Sequence, residues 1–228
     1  DYNMTLYERL LDQMYGTSTV KYWAILTLDV QPDFKDFQTY FNGGQTQLLY
    51  QWLPADLETP VSAFLKISGN ASYSFLLESV EGGRTLGRYS AIGLHPDLIW
   101  RYQDNKTYTQ KIDGSHGDAP NIHDASLEDR PALESLREHL QGSKIDIIPN
   151  HMPPMATSGL FGYMGYDCVR LAEDIPDNNS DTLGLPESIF MRPTVMVIFD
   201  NVNNMMCVAT PIRCHAGNSQ ESVHAVYD

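Results

Sequence analysis

The sequence predicts an α+β fold in which antiparallel β-sheets are flanked by helices. Before residue 70, apolar residues recur mostly at helical spacing, whereas from residue 72 they alternate with a period of two. Several of the alternating stretches follow one another across short turns, which is typical of an antiparallel meander rather than of strands that alternate with helices.

Helices are predicted where apolar residues recur every three or four positions between capping residues. Asp33 can cap a helix that ends at Asn42, with its phenylalanines on one face. Thr59 followed by Pro60 marks another helix start, because threonine caps free N–H groups and proline has none to lose. The remaining predicted helices are 6–14, 131–140 and 166–172.

Each predicted helix is expected to bury one apolar stripe against the sheet. The expected buried side chains are Val61, Phe64 and Leu65 in the helix that starts at Pro60, and Leu133, Leu136 and Leu140 in helix 131–140.

Strands are predicted where apolar and polar residues alternate or where β-branched and aromatic residues run together. The predicted strands are 48–53, 74–79, 88–93, 97–102, 107–112, 158–164, 188–200 and 205–211, and residues 22–28 fit a strand or a helix. Asp104-Asn105 and Asn201–Asn204 are predicted hairpin turns. Residues 115–129 and 173–183 are polar and are predicted to be loops.

The charge of the chain excludes some classes of partner. Its 228 residues include 29 acidic and 15 basic side chains, for a formal charge of −14. General electrostatics therefore argue against a nucleic acid or an anionic membrane surface as partner. No apolar run reaches the roughly 18 residues that cross a bilayer, and the first residues show no secretion signal. The expected location is the cytoplasm.

The sequence shows no motif of a known catalytic or metal site. Nucleophile-elbow, zinc-protease, phosphate-loop and dinucleotide-binding patterns are all missing from it. Cys168, Cys207 and Cys214 have no paired spacing, so we expect small buried side chains rather than a disulfide or a zinc site. No catalytic and no metal-ligating residue is predicted.

Several sequence blocks together resemble the N-terminal region of anthranilate synthase component I, a family of chorismate-utilising enzymes. The blocks are Leu57–Ile67, Phe75–Ser79, Gly87–Gly93, Gly159–Arg170 and Leu185–Glu187. The resemblance covers about residues 30–212. It implies that residues 1–29 are an N-terminal extension and that 213–228 begin the connection to a C-terminal chorismate-binding region.

The resemblance implies a function for the parent protein. The family converts chorismate and glutamine-derived ammonia into anthranilate and pyruvate, the first step of tryptophan biosynthesis. It uses Mg²⁺ and a glutamine amidotransferase subunit, component II, and L-tryptophan inhibits it. Family members are about twice as long as this chain, and their magnesium ligands and catalytic residues lie in the later half. The chain is therefore expected to be inactive alone, without Mg²⁺ ligands, and to belong to a sandwich of antiparallel sheets.

The resemblance also implies a tryptophan site at Pro60, Glu78, Ser79 and Arg88. In the family, a Leu-Leu-Glu-Ser segment binds tryptophan with an upstream proline and a downstream basic residue. Here Glu78 would face the ammonium group, Pro60 the indole, and Arg88 one edge, while a side chain larger than Ser79 would overpack the pocket. The later half completes this pocket, so weak binding is expected.

Other interpretations stay open at this point. Strand alternation alone would make Glu78 a solvated residue, Ser79 a strand end and Arg88 an ordinary surface cation. Tyr163 and Tyr166 are predicted to pack in the core or against a sheet. The alternative functions are aminodeoxychorismate synthase component I of the folate pathway, a stand-alone amino-acid-binding module, and an extracellular acidic binding domain.

Overall fold

A computed structural model describes residues 12–14, 16, 30–69, 71–81, 85–112, 125–157, 159–176, 178, 180–213, 223 and 227. The helices are α1 (Phe34–Asn42), α2 (Pro60–Ile67) and α3 (Ala132–Gln141). The strands are β1 (Gln47–Pro54), β2 (Phe75–Glu81), β3 (Thr85–Gln103), β4 (Lys106–Lys111), β5 (Ser126–Glu128), β6 (Phe161–Met164), β7 (Ser188–Asp200) and β8 (Met205–Ile212). Short 3₁₀ helices span Pro154–Thr157 and Tyr166–Leu171.

The pairing of the strands confirms the predicted α+β class. Strand pairs β1–β8, β2–β3, β3–β4, β4–β5, β6–β7 and β7–β8 are all antiparallel. The predicted strands 188–200 and 205–211 agree closely with β7 and β8, and the turn between them is the predicted one. The predicted elements before residue 30 lie largely outside the described residues, where only 12–14 are seen to be helical.

The chain divides into two compact units. The first comprises 1–94, 145–157 and 194–228, and the second comprises 95–144 and 158–193. β3 and β7 each run from one unit into the other. The division falls inside the region 30–212 that the resemblance covers, and the outer bounds of that region stay a prediction.

The first unit is built on the neighbouring strands β1, β8 and β7, followed by β3 and β2. Its core includes Ile92, Val197, Phe199 and Met206, which are almost completely buried. Helix α1 lies against β1, and its predicted cap is confirmed because the Asp33 carboxylate accepts a hydrogen bond from the Asp36 N–H at 2.9 Å. The predicted apolar face of α1 is also confirmed, since Phe37 and Phe41 are buried.

Helix α2 has the predicted bounds but buries a different face. Val61 is 44% exposed and Leu65 is 71% exposed, so the prediction that both are buried is wrong. Ala63 and Ile67 are buried instead, with Phe64 partly buried beside them. The helix is apolar on more than one side, so periodicity alone could not select the stripe that meets the core.

The second unit contains the later half of β3 with β4 and β5, and β6 paired with the early half of β7. Its core surrounds the fully buried Trp100. The predicted strands 88–93 and 97–102 are one 19-residue strand, β3, in which His95 has a φ of 49°. The Asp104-Asn105 turn is confirmed, with φ values of 51° and 58° that fit a tight hairpin turn.

Two further predictions in the second unit are corrected. β5 lies in a segment that is predicted to be a loop, whereas the helix predicted at 166–172 is present as a 3₁₀ helix over Tyr166–Leu171. Tyr166 is 88% exposed, so the prediction that it packs in the core or against a sheet is wrong, while Tyr163 lies in β6 and is 45% exposed, so it is not a core residue. The close approach predicted at the strand 158–164 is confirmed, since a Cβ on Gly162 would lie 1.9 Å from the Ile189 carbonyl oxygen.

The face of α3 is also corrected. Leu133 and Leu140 are exposed, whereas Ala132 and Ser135 are buried and Leu136 is partly buried. A buried polar residue on this face has a specific reason, because the Trp100 indole N–H donates a hydrogen bond to Ser135 Oγ at 2.8 Å.

A single carboxylate, Glu128, joins β5, β4 and α3. It accepts hydrogen bonds from the hydroxyls of Ser135 and Thr109, and His139 Nε2 lies 2.9 Å from its Oε1. Burial by itself would raise the pKa of Glu128, but the bonds from Ser135, Thr109 and His139 outweigh it and lower the pKa to about 2. The charged form of Glu128 therefore holds the edge of the second unit together.

We expect Glu128→Gln to destabilise the chain at neutral pH by about 1–3 kcal/mol, the cost of leaving buried polar partners poorly satisfied. The folded-state pKa lies below the ordinary value of 4.5. The stabilisation is therefore complete above pH 4.5 and is lost as the pH falls toward 2. Urea unfolding should show a difference in the free energy of unfolding between wild type and variant, and this difference should become smaller as the pH falls from 4.5 toward 2.

The matched control for this experiment is Glu134→Gln, which changes an exposed carboxylate of α3. It should leave the free energy of unfolding nearly unchanged at every pH. A gap between wild type and Glu128→Gln that is as large at pH 2 as at pH 7 would contradict the assigned role of Glu128.

Candidate functional site

The four predicted ligand residues lie on three neighbouring elements of the first unit. Pro60 is the first residue of α2, Glu78 and Ser79 are in β2, and Arg88 is in β3. Helix α2 packs against β2, and β2 pairs with β3. The structure thus brings together the elements on which all four residues lie.

A network of capping bonds positions Pro60. Thr59 Oγ1 accepts from the Ser62 N–H at 3.1 Å, and Ser62 Oγ accepts from the Thr59 N–H at 2.9 Å. Ser62 Oγ also donates to Glu58 at 2.7 Å, and Glu58, whose side chain is almost fully buried, forms an ion pair with Lys66. The predicted cap at Thr59 is therefore confirmed and is reinforced by a buried carboxylate.

The β2–β3 ladder is interrupted at Ser79. Glu78 pairs with Ser90 and Val80 pairs with Leu86, so one residue of β2 lies opposite three residues of β3. An irregularity of this kind bends the strand and ends regular pairing, and such features are common beside functional sites. Arg88 is one of the three residues opposite Ser79.

The guanidinium of Arg88 is bound to a buried carboxylate at the end of β7. Arg88 Nη2 donates to Asp200 Oδ2 at 3.0 Å, and Nε lies 3.4 Å from Oδ1. The Asp200 side chain is 3% exposed and that of Arg88 is 55% exposed. The cation also lies over the ring of Tyr89, at 4.8 Å from the ring centre. One edge of the guanidinium fork is thus occupied by Asp200.

The turn between β7 and β8 is fastened to the same carboxylate. Asp200 accepts hydrogen bonds from the N–H groups of Val202 and Asn203 and from the Asn203 side chain. Burial alone would raise the pKa of Asp200, but Arg88 and these donors outweigh it and hold the pKa below its ordinary value. The hydrogen bond to Asp200 likewise raises the pKa of Arg88.

Asn201 ties this turn to β3. Its N–H donates to the Arg88 carbonyl oxygen at 2.8 Å, and its side-chain amide donates to the Gly87 carbonyl oxygen at 2.9 Å. The backbone on both sides of Arg88 is therefore held in place by the β7–β8 turn.

Glu78 is an exposed carboxylate of the first unit. Within the described residues it has no ion pair and no side-chain hydrogen bond. Leu76 packs against the core, while Leu77 is about half exposed. An exposed carboxylate such as that of Glu78 can bind the ammonium group of a ligand.

Asp200 and Glu58 are the residues of this site that sequence reasoning missed. Asp200 is predicted only as the end of a strand, although an aspartate before a turn of four residues, three of them asparagine, is a signal of side-chain bonding to the turn. Glu58 lies in a block that carries the resemblance, but no role is predicted for it. Its signal was an acidic residue just before a Thr-x-x-Ser capping pattern.

Among the described residues, no group of three or more His, Cys, Asp or Glu side chains could hold a metal ion. No helix within the described ranges has the length and hydropathy needed to cross a membrane. Cys168 and Cys207 are buried free thiols, as predicted, and burial raises the pKa of Cys207 to about 12.

Comparison with known proteins confirms the resemblance seen in the sequence. The chain is 40% identical over 194 residues to anthranilate synthase component 1 of Cereibacter sphaeroides, which covers 84% of this chain and 37% of that protein. It is 36% identical over 159 residues to the protein of the same name from Thermus thermophilus, covering 70% of this chain and 31% of the relative. The chain is therefore a relative of anthranilate synthase component I.

The similarity is partial in extent. The chain spans about a third of the length of the curated relatives it matches. No protein-family model matches it. A solved structure of anthranilate synthase component I from Streptococcus pneumoniae TIGR4 aligns with a TM-score of 0.43 and 18% identity, covering 77% of this chain and 34% of that one. At that score the likeness does not bear on the fold.

We expect Arg88→Gln to lower the thermal stability of the chain at pH 7, because it leaves the buried Asp200 carboxylate without its cation. Because the pKa of Asp200 is lowered in the folded chain, the difference in stability between wild type and variant is largest above the ordinary pKa of an aspartate. The difference becomes smaller as the pH falls through the folded-state pKa. Melting curves at neutral and acidic pH should show this convergence.

The control for Arg88→Gln is Arg137→Gln, which removes an exposed arginine of α3. It should shift the melting temperature little at either pH. If Arg88→Gln melts like the wild type at pH 7, the Arg88–Asp200 pair does not organise this end of the sheet.

Proposed function

We propose that this chain is the N-terminal, tryptophan-sensing part of an anthranilate synthase component I. The parent enzyme would form anthranilate and pyruvate from chorismate, with ammonia that component II releases from glutamine. The observation that carries the proposal is the 40% identity to the Cereibacter sphaeroides protein over 84% of this chain. The curated relatives reported above are all named anthranilate synthase component 1, which favours this branch over aminodeoxychorismate synthase component I.

The proposed tryptophan site consists of Pro60, Glu78, Ser79 and Arg88. Three observations support it: the packing of α2 against β2, the break in the ladder at Ser79, and the exposed carboxylate of Glu78. Glu78 would bind the ammonium group of the amino acid, and Pro60 would form part of the indole wall. Arg88 would contribute the guanidinium edge that Asp200 does not use, so Asp200 acts on the ligand by holding Arg88 in position.

Other parts of the parent protein would carry out the chemical reaction. Chorismate, Mg²⁺ and the catalytic groups would be bound by parts of the parent protein other than the described residues, which hold no candidate metal cluster. The proposed partner is component II, and the proposed location is the cytoplasm. A stand-alone amino-acid-binding module is the alternative that shares the ligand site but has no partner and no chorismate chemistry.

We expect L-tryptophan to bind this chain weakly. Ligand at 100 times its Kd would stabilise the fold by ~2.7 kcal/mol. Because the pocket is incomplete, we expect a high Kd, so that the tryptophan concentrations used stay far below 100 times Kd and the melting shift is much smaller. Ligand-observed NMR should detect binding that Ser79→Phe abolishes by filling the pocket and that Glu78→Gln weakens by removing the charge that faces the ammonium group.

The control for the tryptophan measurement is Glu173→Gln, which changes an exposed carboxylate of the second unit. It should bind tryptophan as the wild type does. Equal binding by the wild type and Ser79→Phe would rule out the proposed pocket, and a melting shift near the full value would show that the pocket is complete within this chain.

We also expect no anthranilate when the chain is incubated with chorismate, Mg²⁺ and ammonia. The physical reason is the lack of a metal-binding cluster among the described residues. Anthranilate is followed by its fluorescence, and full-length component I of Cereibacter sphaeroides serves as the positive control. Turnover above background by this chain, with the positive control active, would refute the proposed division of roles.

A further inference from the structure

A short helical segment near the start of the chain packs in the same core as α2. We call it helical turn 12–14 and define it by Asp12, Gln13 and Met14. Met14 is 4% exposed and belongs to one core cluster with Ala63 and Ile67 of α2. All of these residues lie in the first unit, as does Pro60. The resemblance assigns this part of the chain no role in ligand binding.

Helical turn 12–14 ends at a glycine. The Gly16 N–H donates to the Asp12 carbonyl oxygen at 2.8 Å, and Gly16 has a φ of 80°. This conformation is typical of the residue that follows a helix and favours glycine. A Cβ at Gly16 would have no atom within 4 Å, so a substitution there would act through backbone strain alone.

Lys66 of α2 joins helical turn 12–14 to Glu58. Its ammonium group donates to the Met14 carbonyl oxygen at 3.1 Å and forms an ion pair with the Glu58 carboxylate. A cation is favourable at the C-terminal end of a helical segment, where carbonyl groups lack partners within the helix. The Lys66 side chain is 41% exposed, so the Met14 carbonyl gives its ammonium group a fixed position.

Glu58 in turn needs the cation of Lys66. Its side chain is only 4% exposed, and a buried carboxylate that loses its cation is strongly disfavoured. Glu58 accepts a hydrogen bond from Ser62 Oγ at 2.7 Å, and Ser62 Oγ accepts from the Thr59 N–H at 2.9 Å. Loss of the Lys66–Glu58 pair would therefore loosen the bonds that fix the first turn of α2, where Pro60 lies.

We propose that Lys66 is a positioning residue of the tryptophan site and that it makes tryptophan affinity depend on the docking of helical turn 12–14. The inference rests on the proposed function, which supplies tryptophan as the ligand and Pro60 as part of the indole wall. It goes beyond that function by giving residues 12–16 a role in ligand binding. Because coupling between two sites is reciprocal, bound tryptophan should also stabilise the docking of helical turn 12–14.

The first test compares the Kd for tryptophan of the wild-type chain and of Lys66→Met, measured by ligand-observed NMR. Methionine keeps an apolar stem but lacks the ammonium group, so the Met14 carbonyl and Glu58 lose the donor that they share. The Kd should rise about fivefold, which is typical of residues that act on a ligand through others. Lys66→Arg keeps the cation and should restore a Kd close to that of the wild type.

The second test changes helical turn 12–14 and leaves Lys66 in place. Gly16→Ala disfavours the positive φ at the end of the turn, so the Kd for tryptophan should rise about threefold. Gly44→Ala is the matched control, because Gly44 also has a positive φ, of 69°, and an added Cβ would likewise meet no atom within 4 Å. Gly44 follows α1, so this control should leave the Kd unchanged.

A double variant shows whether the two changes act through the same pair. Gly16→Ala combined with Lys66→Met should have a Kd no higher than that of Lys66→Met alone, because both act through the Lys66–Glu58 pair. Hydrogen exchange adds a local measurement. The Ser62 amide, which donates to Thr59 Oγ1, should exchange faster in Gly16→Ala than in Gly44→Ala. Circular dichroism melts verify folding, and Gly16→Ala remains a full test if Lys66→Met does not fold.

The outcomes separate this inference from the proposed function. Equal Kd values for the wild type, Lys66→Met and Gly16→Ala would overturn the inference and leave the proposed function standing. Increases in Kd that multiply in the double variant, or an increase for Gly44→Ala as large as that for Gly16→Ala, would also overturn it. Absence of tryptophan binding by the wild type would overturn the proposed ligand site and the inference together.

Discussion

The candidate site depends on the ion pair and hydrogen bonds that satisfy the buried carboxylate of Asp200. A charge removed from water must be matched by a cation and by hydrogen-bond donors, or the group becomes neutral. Arg88 and the turn after Asp200 supply both. Meeting this requirement fixes the guanidinium of Arg88, the backbone on either side of it, and hence the part of β3 that lies opposite Ser79.

The second unit meets a similar constraint in a similar way. Glu128 is satisfied by groups from β4 and α3, and Trp100 extends the network through Ser135. In both units a carboxylate holds together segments that are distant in sequence, because several donors converge on its two oxygens. The loss of any one donor would leave a buried polar group without a hydrogen-bond partner. Each network therefore favours a single arrangement of its residues.

The local elements were predictable because their determinants are local. The caps at Asp33 and Thr59 and the Asp104-Asn105 turn depend on residues within a few positions of one another. The buried faces of α2 and α3 were not predictable in the same way. Val61 and Leu65 are as apolar as the residues that are buried, so the choice depended on which side met the sheet.

The sequence by itself determined the α+β class, the bounds of most helices and strands, and the family resemblance that points to Pro60, Glu78, Ser79 and Arg88. Only the tertiary structure decided that Arg88 is held by Asp200, 112 positions away, and that Tyr166 faces solvent rather than the core. The physical reason is that propensity and periodicity act over a few residues. The pairing of buried charges and the choice of buried face depend on groups that only folding brings together.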